Sequence, residues 1–240
     1  MTKHTVNHGD RQIYFQLERK NVKNINLRVR PDLSIGVSAN DNVSLACIKD
    51  FVKKKGPWII KNLDYFQSFQ SAQEAKMDFV SGESVRYLGR QYRLRVRQAE
   101  IEGVKYFRGL IYIYVKDAED FNKKEGLYKA WLNEKAHYHF NKSLDRMHKL
   151  VNRSQIPRPE LRIRDMKTRW GSCHRKNGRI IINSGLIKGP KHCIDYVILH
   201  ELLHFKYKNH DSNFYTYLTV LMPDWQRRKK ILDEEVIMYL

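Results

Sequence analysis

Hydrophobic and polar residues alternate along the first half of the chain and settle into longer, helical periods along the second. In Tyr92-Arg93-Leu94-Arg95-Val96-Arg97 a period of two sends Tyr92, Leu94 and Val96 to one face and three arginines to the other, the pattern of a half-buried strand. Leu27-Arg28-Val29-Arg30 repeats the arrangement. Ile111-Tyr112-Ile113-Tyr114-Val115 alternates aliphatic and aromatic faces, which places Tyr112 and Tyr114 on one side of a sheet. Between these strands residues 44–70 have helical character, with Gly56-Pro57 dividing them into two pieces. From Asp120 to Val151 the residues Trp131, Ala136, Phe140, Leu144 and Met147, together with Leu127, Leu132 and Val151, form one apolar stripe of a long helix. Pro157 and Pro159 close that region, and Leu161-Arg162-Ile163-Arg164 follows as a strand. Arg179 to Asn183 reads as another, preceded by the turn Lys176-Asn177-Gly178. This order of elements predicts an α+β fold, with a β-rich basic region over residues 1–118 and a second domain over residues 119–240. No internal repeat is visible in the sequence.

Composition narrows the class. The chain has 240 residues, of which 42% are hydrophobic and 12% aromatic, enough apolar material for a packed core despite a charged fraction of 30%. No apolar run approaches membrane-spanning length, and the first residues lack the apolar core of a signal peptide. Cys47, Cys173 and Cys193 are widely spaced and odd in number, which fits reduced thiols and a cytoplasmic location. Lys and Arg number 45 against 26 Asp and Glu, a formal charge of +19, so polyanions are plausible partners, with the Arg28/Arg30 and Arg93/Arg95/Arg97 faces available to phosphates.

The chemistry is concentrated downstream of Pro190. His200-Glu201-Leu202-Leu203-His204 sits in a helical, strongly apolar run from Asp195 to Phe205. Histidines four apart lie on one helical face, a turn apart, as two ligands of a tetrahedral zinc ion require. Glu201 is about 100° further round and can reach a water on the ion without binding the ion itself. Burying these polar groups without a partner would cost roughly 1–3 kcal/mol each, and a zinc ion satisfies all three together. His210 is the candidate third ligand, provided the helix stops between His204 and His210; Asn209 is the expected stop, in a left-handed conformation. A following helix should begin near Asp211 or Ser212 and carry Phe214, Leu218 and Leu221 inward. His137 and His139, two apart, face different directions and cannot chelate together.

The segments Arg169-Trp170-Gly171-Ser172-Cys173, Gly178 to Asn183, Asp195-Tyr196-Val197, His200 to His204, Asn209-His210 and Met222-Pro223-Asp224-Trp225 resemble the YgjP-like (DUF45) family of predicted metal-dependent hydrolases, related to SprT-like and zincin metallopeptidases. The resemblance is strong over residues 160–235. It implies a zincin-like fold in which the HExxH helix packs on a small sheet, and it supports His200, His204 and His210 as the zinc ligands.

The leading expectation is therefore a zinc-dependent peptidase acting on a peptide or protein, with Glu201 as its base. A second is a nucleotide pyrophosphatase, in which Arg169, Arg175, Lys176 and Lys188 would gather phosphates. A third is a nucleic-acid-associated protein with SprT-like protease activity or a structural zinc. Arg169, Ser172 and Asn183 are the candidate substrate-binding residues, and the Arg179–Asn183 strand is the candidate edge for an extended peptide.

Overall fold

A computed structural model describes residues 2–30, 32–70, 77–152 and 156–236. The chain is α+β and divides into two compact units, Met1–Glu74 and Ala75–Leu240. The domain boundary expected near residue 118 thus falls inside the second unit. The strands of residues 84–115 bury Val85, Leu94, Ile111 and Ile113 in the same core as the long helix and the HExxH helix, and that shared core holds them there.

In the first unit β1 (Thr2–His8), β2 (Arg11–Arg19), β3 (Asn26–Val29) and β4 (Ile35–Ala39) form a sheet in the order β1-β2-β4-β3. Its apolar face packs on α1 (Leu45–Lys54) and α2 (Gly56–Gln70) through Ile48, Val52 and Ile59. The helix break falls where Gly56-Pro57 predicts it. Ser44 caps α1, accepting from the Cys47 amide at 3.2 Å.

The second unit opens with β5 (Ser84–Tyr87), β6 (Arg90–Gln98), β7 (Gly103–Phe107) and β8 (Leu110–Val115), ordered β5-β6-β8-β7. Both four-stranded sheets pair antiparallel at their margins and parallel at their centre, so the two units share one strand topology. The hairpins β5–β6 and β7–β8 turn at Leu88-Gly89 and Arg108-Gly109, where positive φ at both positions matches the tight turn that suits strand twist.

Helix α3 (Phe121–Val151) follows, capped by Asp120, with the predicted stripe buried or half-buried. A second small sheet contains β9 (Glu160–Arg164), β10 (Gly171–His174) and β11 (Arg179–Asn183) in the order β10-β11-β9. Because β11 is central, paired on both sides, it has no free edge for a peptide, contrary to expectation; β10 and β9 are the edge strands. Buried Ile180, Ile181 and Ile182 suit that central position. Helices α4 (Lys191–Leu203), α5 (Ser212–Leu221) and α6 (Trp225–Ile231) complete the unit, with α4 packed against α3 and against β10 and β11. No helix among the described residues is long and apolar enough to cross a membrane.

Candidate metal centre

Helix α4 is apolar almost all round, and Ile194, Val197, Ile198, Leu199, Leu202 and Leu203 are buried. That burial fixes the helix and so fixes what its few polar residues face. The helix ends earlier than Asn209: Leu203 is its last residue and His204 its cap. The chain turns at once, with the Phe205 amide donating to Leu202 at 3.1 Å and the Tyr207 amide to Leu203 at 2.8 Å. Asn209 has no positive φ. The reversal comes from these tightened carbonyl contacts, so no left-handed residue is needed.

The turn brings His210 back to His200 and His204. Ring centroids of the three imidazoles are 4.9, 4.7 and 4.7 Å apart, and one ring nitrogen from each lies within 4.8 Å of the others. The Nε2 atoms of His200 and His210 are 2.8 Å apart. Zinc ligands around one tetrahedral centre stand about 3.4 Å from each other, a spacing that these distances bracket. His204 Nδ1 donates to the Tyr207 carbonyl at 3.0 Å, which fixes its tautomer and turns Nε2 toward the other two rings. Burial, with His204 and His210 beside it, pulls His200 down to about 3, so its ring is held neutral and its lone pair is available. Among the described residues the buried Nδ1 of His200 has no hydrogen-bond partner. Neutral, converging imidazoles in an apolar setting are a donor set that fits a zinc ion. Phe214, fully buried on α5, lies 4.8–5.1 Å from all three rings and forms the floor beneath them.

Glu201 is buried, and burial pushes its carboxyl up to about 8 while the Arg169 guanidinium opposes the shift. The carboxylate lies against the backbone of β10 at Gly171. A Cβ on that glycine would sit 2.6 Å from Glu201 Oε1 and 2.7 Å from Cγ, so only glycine permits the approach. This gives the Arg169-Trp170-Gly171 segment a physical role that the sequence alone left open.

Asn183 explains how the segment is held. Its side chain is fully buried, donates to the carbonyls of Met166 and Arg169 and accepts from the Gly185 amide at 2.9 Å. The backbone amide of Asn183 donates to the Trp170 carbonyl at 2.9 Å. Its hydrogen bonds are committed to the fold, so Asn183, a candidate substrate-binding residue by sequence, sits in the structure as a clamp on this segment. Ser172, another candidate, is turned by alternation along β10 away from the face where Gly171 meets Glu201.

A cavity of about 220 Å³ opens beside His200 and Glu201. Arg169 and Gly171 line it, as do Tyr196 and, from the C-terminal segment, Lys229 and Asp233. Of the four cations suited to phosphate recognition, Arg169 alone borders this cavity; Lys188 lines a different one, and Arg175 and Lys176 are exposed beyond β10. Tyr196 was not foreseen as a site residue. It lies one turn before His200 on α4, its ring 5.9 Å from the histidine and stacked on Trp225, and the four-residue spacing was the available signal.

Residues 23–235 match the family model described as YgjP-like, metallopeptidase domain. Among solved structures the chain is similar to the metallopeptidase zymogen of Pyrococcus abyssi abylysin, at 23% identity over 39% of this chain and 89% of that one, with a TM-score of 0.35. A comparison with curated proteins found no match.

Proposed function

Because the chain belongs to the YgjP-like metallopeptidase family, we propose that it is a zinc-dependent peptidase in which His200, His204 and His210 hold the ion and Glu201 is the general base. The observation that carries this reading is the meeting of three imidazoles beside a buried carboxylate that is pressed against an edge strand. Zinc held there supplies Lewis acidity, polarising the scissile carbonyl and acidifying a water.

The protein's own groups do the rest. Glu201 accepts the proton of the attacking water and delivers it to the departing amine. The free edge of β10 offers backbone donors and acceptors to an extended peptide, aligning it past Glu201. Tyr196 and Arg169, both bordering the cavity, are two of the donors that can meet charge developing on the carbonyl oxygen. Trp170, Val197 and Leu232 supply apolar surface to the cavity walls.

The test offers wild type and Glu201→Gln, both supplied with zinc, a denatured-protein library and a panel of nucleoside triphosphates. New amino termini that depend on Glu201 are the expected result. Glu201-dependent pyrophosphate release without peptide cleavage would replace this reading with nucleotide hydrolysis.

A further inference from the structure

The β5-β6-β8-β7 sheet buries one face in the core and leaves the other open, and the open face is neither apolar nor randomly polar. Residues paired across neighbouring strands share a face. Arg95 on β6 stands opposite Tyr112 on β8, and Arg97 stands opposite Tyr114. On the other side of β8, Lys105 of β7 stands opposite Tyr112 and Gly103 opposite Tyr114. An aromatic strand is thus flanked on both sides by cations.

The two tyrosine rings are parallel within 16°, with centroids 6.0 Å apart. They are half-buried, so each keeps part of its surface in solvent. Lys105 Nζ lies 5.9 Å from the Tyr114 centroid. Gly103 leaves the space beside Tyr114 open, with no atom within 4 Å of where a Cβ would be. A third ring, Phe107, lies on the same face and is 56% exposed. Arg95, Arg97 and Lys105 form no ion pair among the described residues. Folding alone does not call for exposed rings aligned between unneutralised cations.

We propose that this face binds single-stranded nucleic acid, with bases stacking on Tyr112, Tyr114 and Phe107 and phosphates contacting Arg95, Arg97 and Lys105. The chemistry selects this ligand. Every base has a π-face that stacks on an aromatic ring without regard to sequence, and the phosphates supply regularly spaced negative charge. A duplex hides its base faces and would meet only the cations. The site lies on β6, β7 and β8, whereas the metal centre is built from α4 and the turn after it, so the inference stands apart from the peptidase reading.

The experiment measures binding of the full chain to fluorescein-labelled oligothymidylate and oligouridylate of about 20 nucleotides, longer than the roughly 4–16 that one such platform occupies. A duplex of equal length and heparin, which has charge but no bases, are run in parallel across a salt series. Both single strands should bind more tightly than the duplex and heparin, and a difference between them assigns DNA or RNA as the preferred source. Tyr112→Leu/Tyr114→Leu should weaken single-strand binding about tenfold or more. Arg95→Gln/Arg97→Gln should weaken it and reduce the salt slope by about 1.4, or about 0.7 for each phosphate left without its cation. Gly103→Glu, in open space, places a negative charge beside Tyr114 and should also abolish binding without touching the core. It serves where the tyrosine variant melts below wild type. Equal affinity for heparin and oligonucleotide, tighter binding of the duplex, or full binding by Gly103→Glu would overturn the proposal.

Discussion

Replacing Gly171 by alanine puts a methyl group where the Glu201 side chain already lies. The new carbon would stand 2.6 Å from Oε1, 2.7 Å from Cγ and 2.9 Å from Cδ, whereas nonbonded heavy atoms rest at about 3.5–4.0 Å. Three contacts spread along the side chain cannot be relieved by rotating the carboxylate alone, so the whole group must shift by about 1 Å. Glu201 is only 6% exposed and has little free space to enter. Gly171 has an ordinary backbone conformation, and there a Gly→Ala change would otherwise stabilise by about 0.4–1 kcal/mol. Overpacking reverses the sign and costs about 1–3 kcal/mol. A misplacement of about 1 Å in a catalytic group lowers turnover on the order of 100-fold. The assay combines thermal melting, zinc content and peptide-cleavage kinetics: the variant should keep its zinc, melt several degrees lower and lose turnover. Adding Glu201→Ala, which removes Cγ, Cδ and Oε1 together, should restore melting more than additivity predicts. A Gly171→Ala protein that melts like wild type and cleaves within about twofold of its rate would refute the reasoning.

Other outcomes follow from the same geometry. Asn183→Leu strands the carbonyls of Met166 and Arg169 and the amide of Gly185, at about 1–3 kcal/mol for each buried group, so chemical denaturation should show a marked loss and an unchanged midpoint would contradict the clamp. His139 is pulled down to about 4 by burial and by Lys191, Lys135, Lys142 and Arg146 nearby, and it should titrate there by proton NMR. The unfolded imidazole takes its proton near pH 6.5, so the stability that neutral His139 contributes is complete above that pH and is lost as the pH falls toward 4. A midpoint near 6.5 would mean the ring is solvated. Chelation should lower the melting temperature of wild type and leave His200→Ala unmoved, because an ion present at a thousandfold excess over its dissociation constant stabilises by about 4 kcal/mol. Equal shifts in both proteins would place the ion elsewhere.

The parts of this protein that a sequence discloses are those set by local period. The alternation of β6, the stripe of α3 and the apolar ring around α4 each follow from spacing within one element, and the structure repeats them. Long-range packing is invisible at that scale. Residues 84–115 look like the strands before them, yet they join the core of α3 and α4, and nothing local distinguishes the two affiliations. The shared topology of the two four-stranded sheets leaves no repeat in the residues because pairing order constrains only which positions are apolar. At the site, His200, Glu201 and His204 are legible from one helix, and His210 from a plausible chain reversal. The reversal itself occurs at Leu203 and His204, where hydrogen bonds to Leu202 and Leu203 decide it. Asn183 reads as a polar strand end, and only its contacts with residues 166–170 reveal a clamp. Gly171 carries the clearest lesson: its close approach can be anticipated from residue type, but the partner, Glu201, is 30 positions away.

The central claim is that three imidazoles brought together by the turn after α4 hold one zinc ion. It is tested most directly by elemental analysis of the purified chain beside His200→Ala, His204→Ala, His210→Ala and Glu201→Gln. Wild type and Glu201→Gln should each carry about one zinc ion, the first two histidine variants should lose it, and His210→Ala should hold it more weakly. Full zinc retention in His200→Ala or His204→Ala would contradict the account, and full retention in His210→Ala would remove that residue from the ligand set.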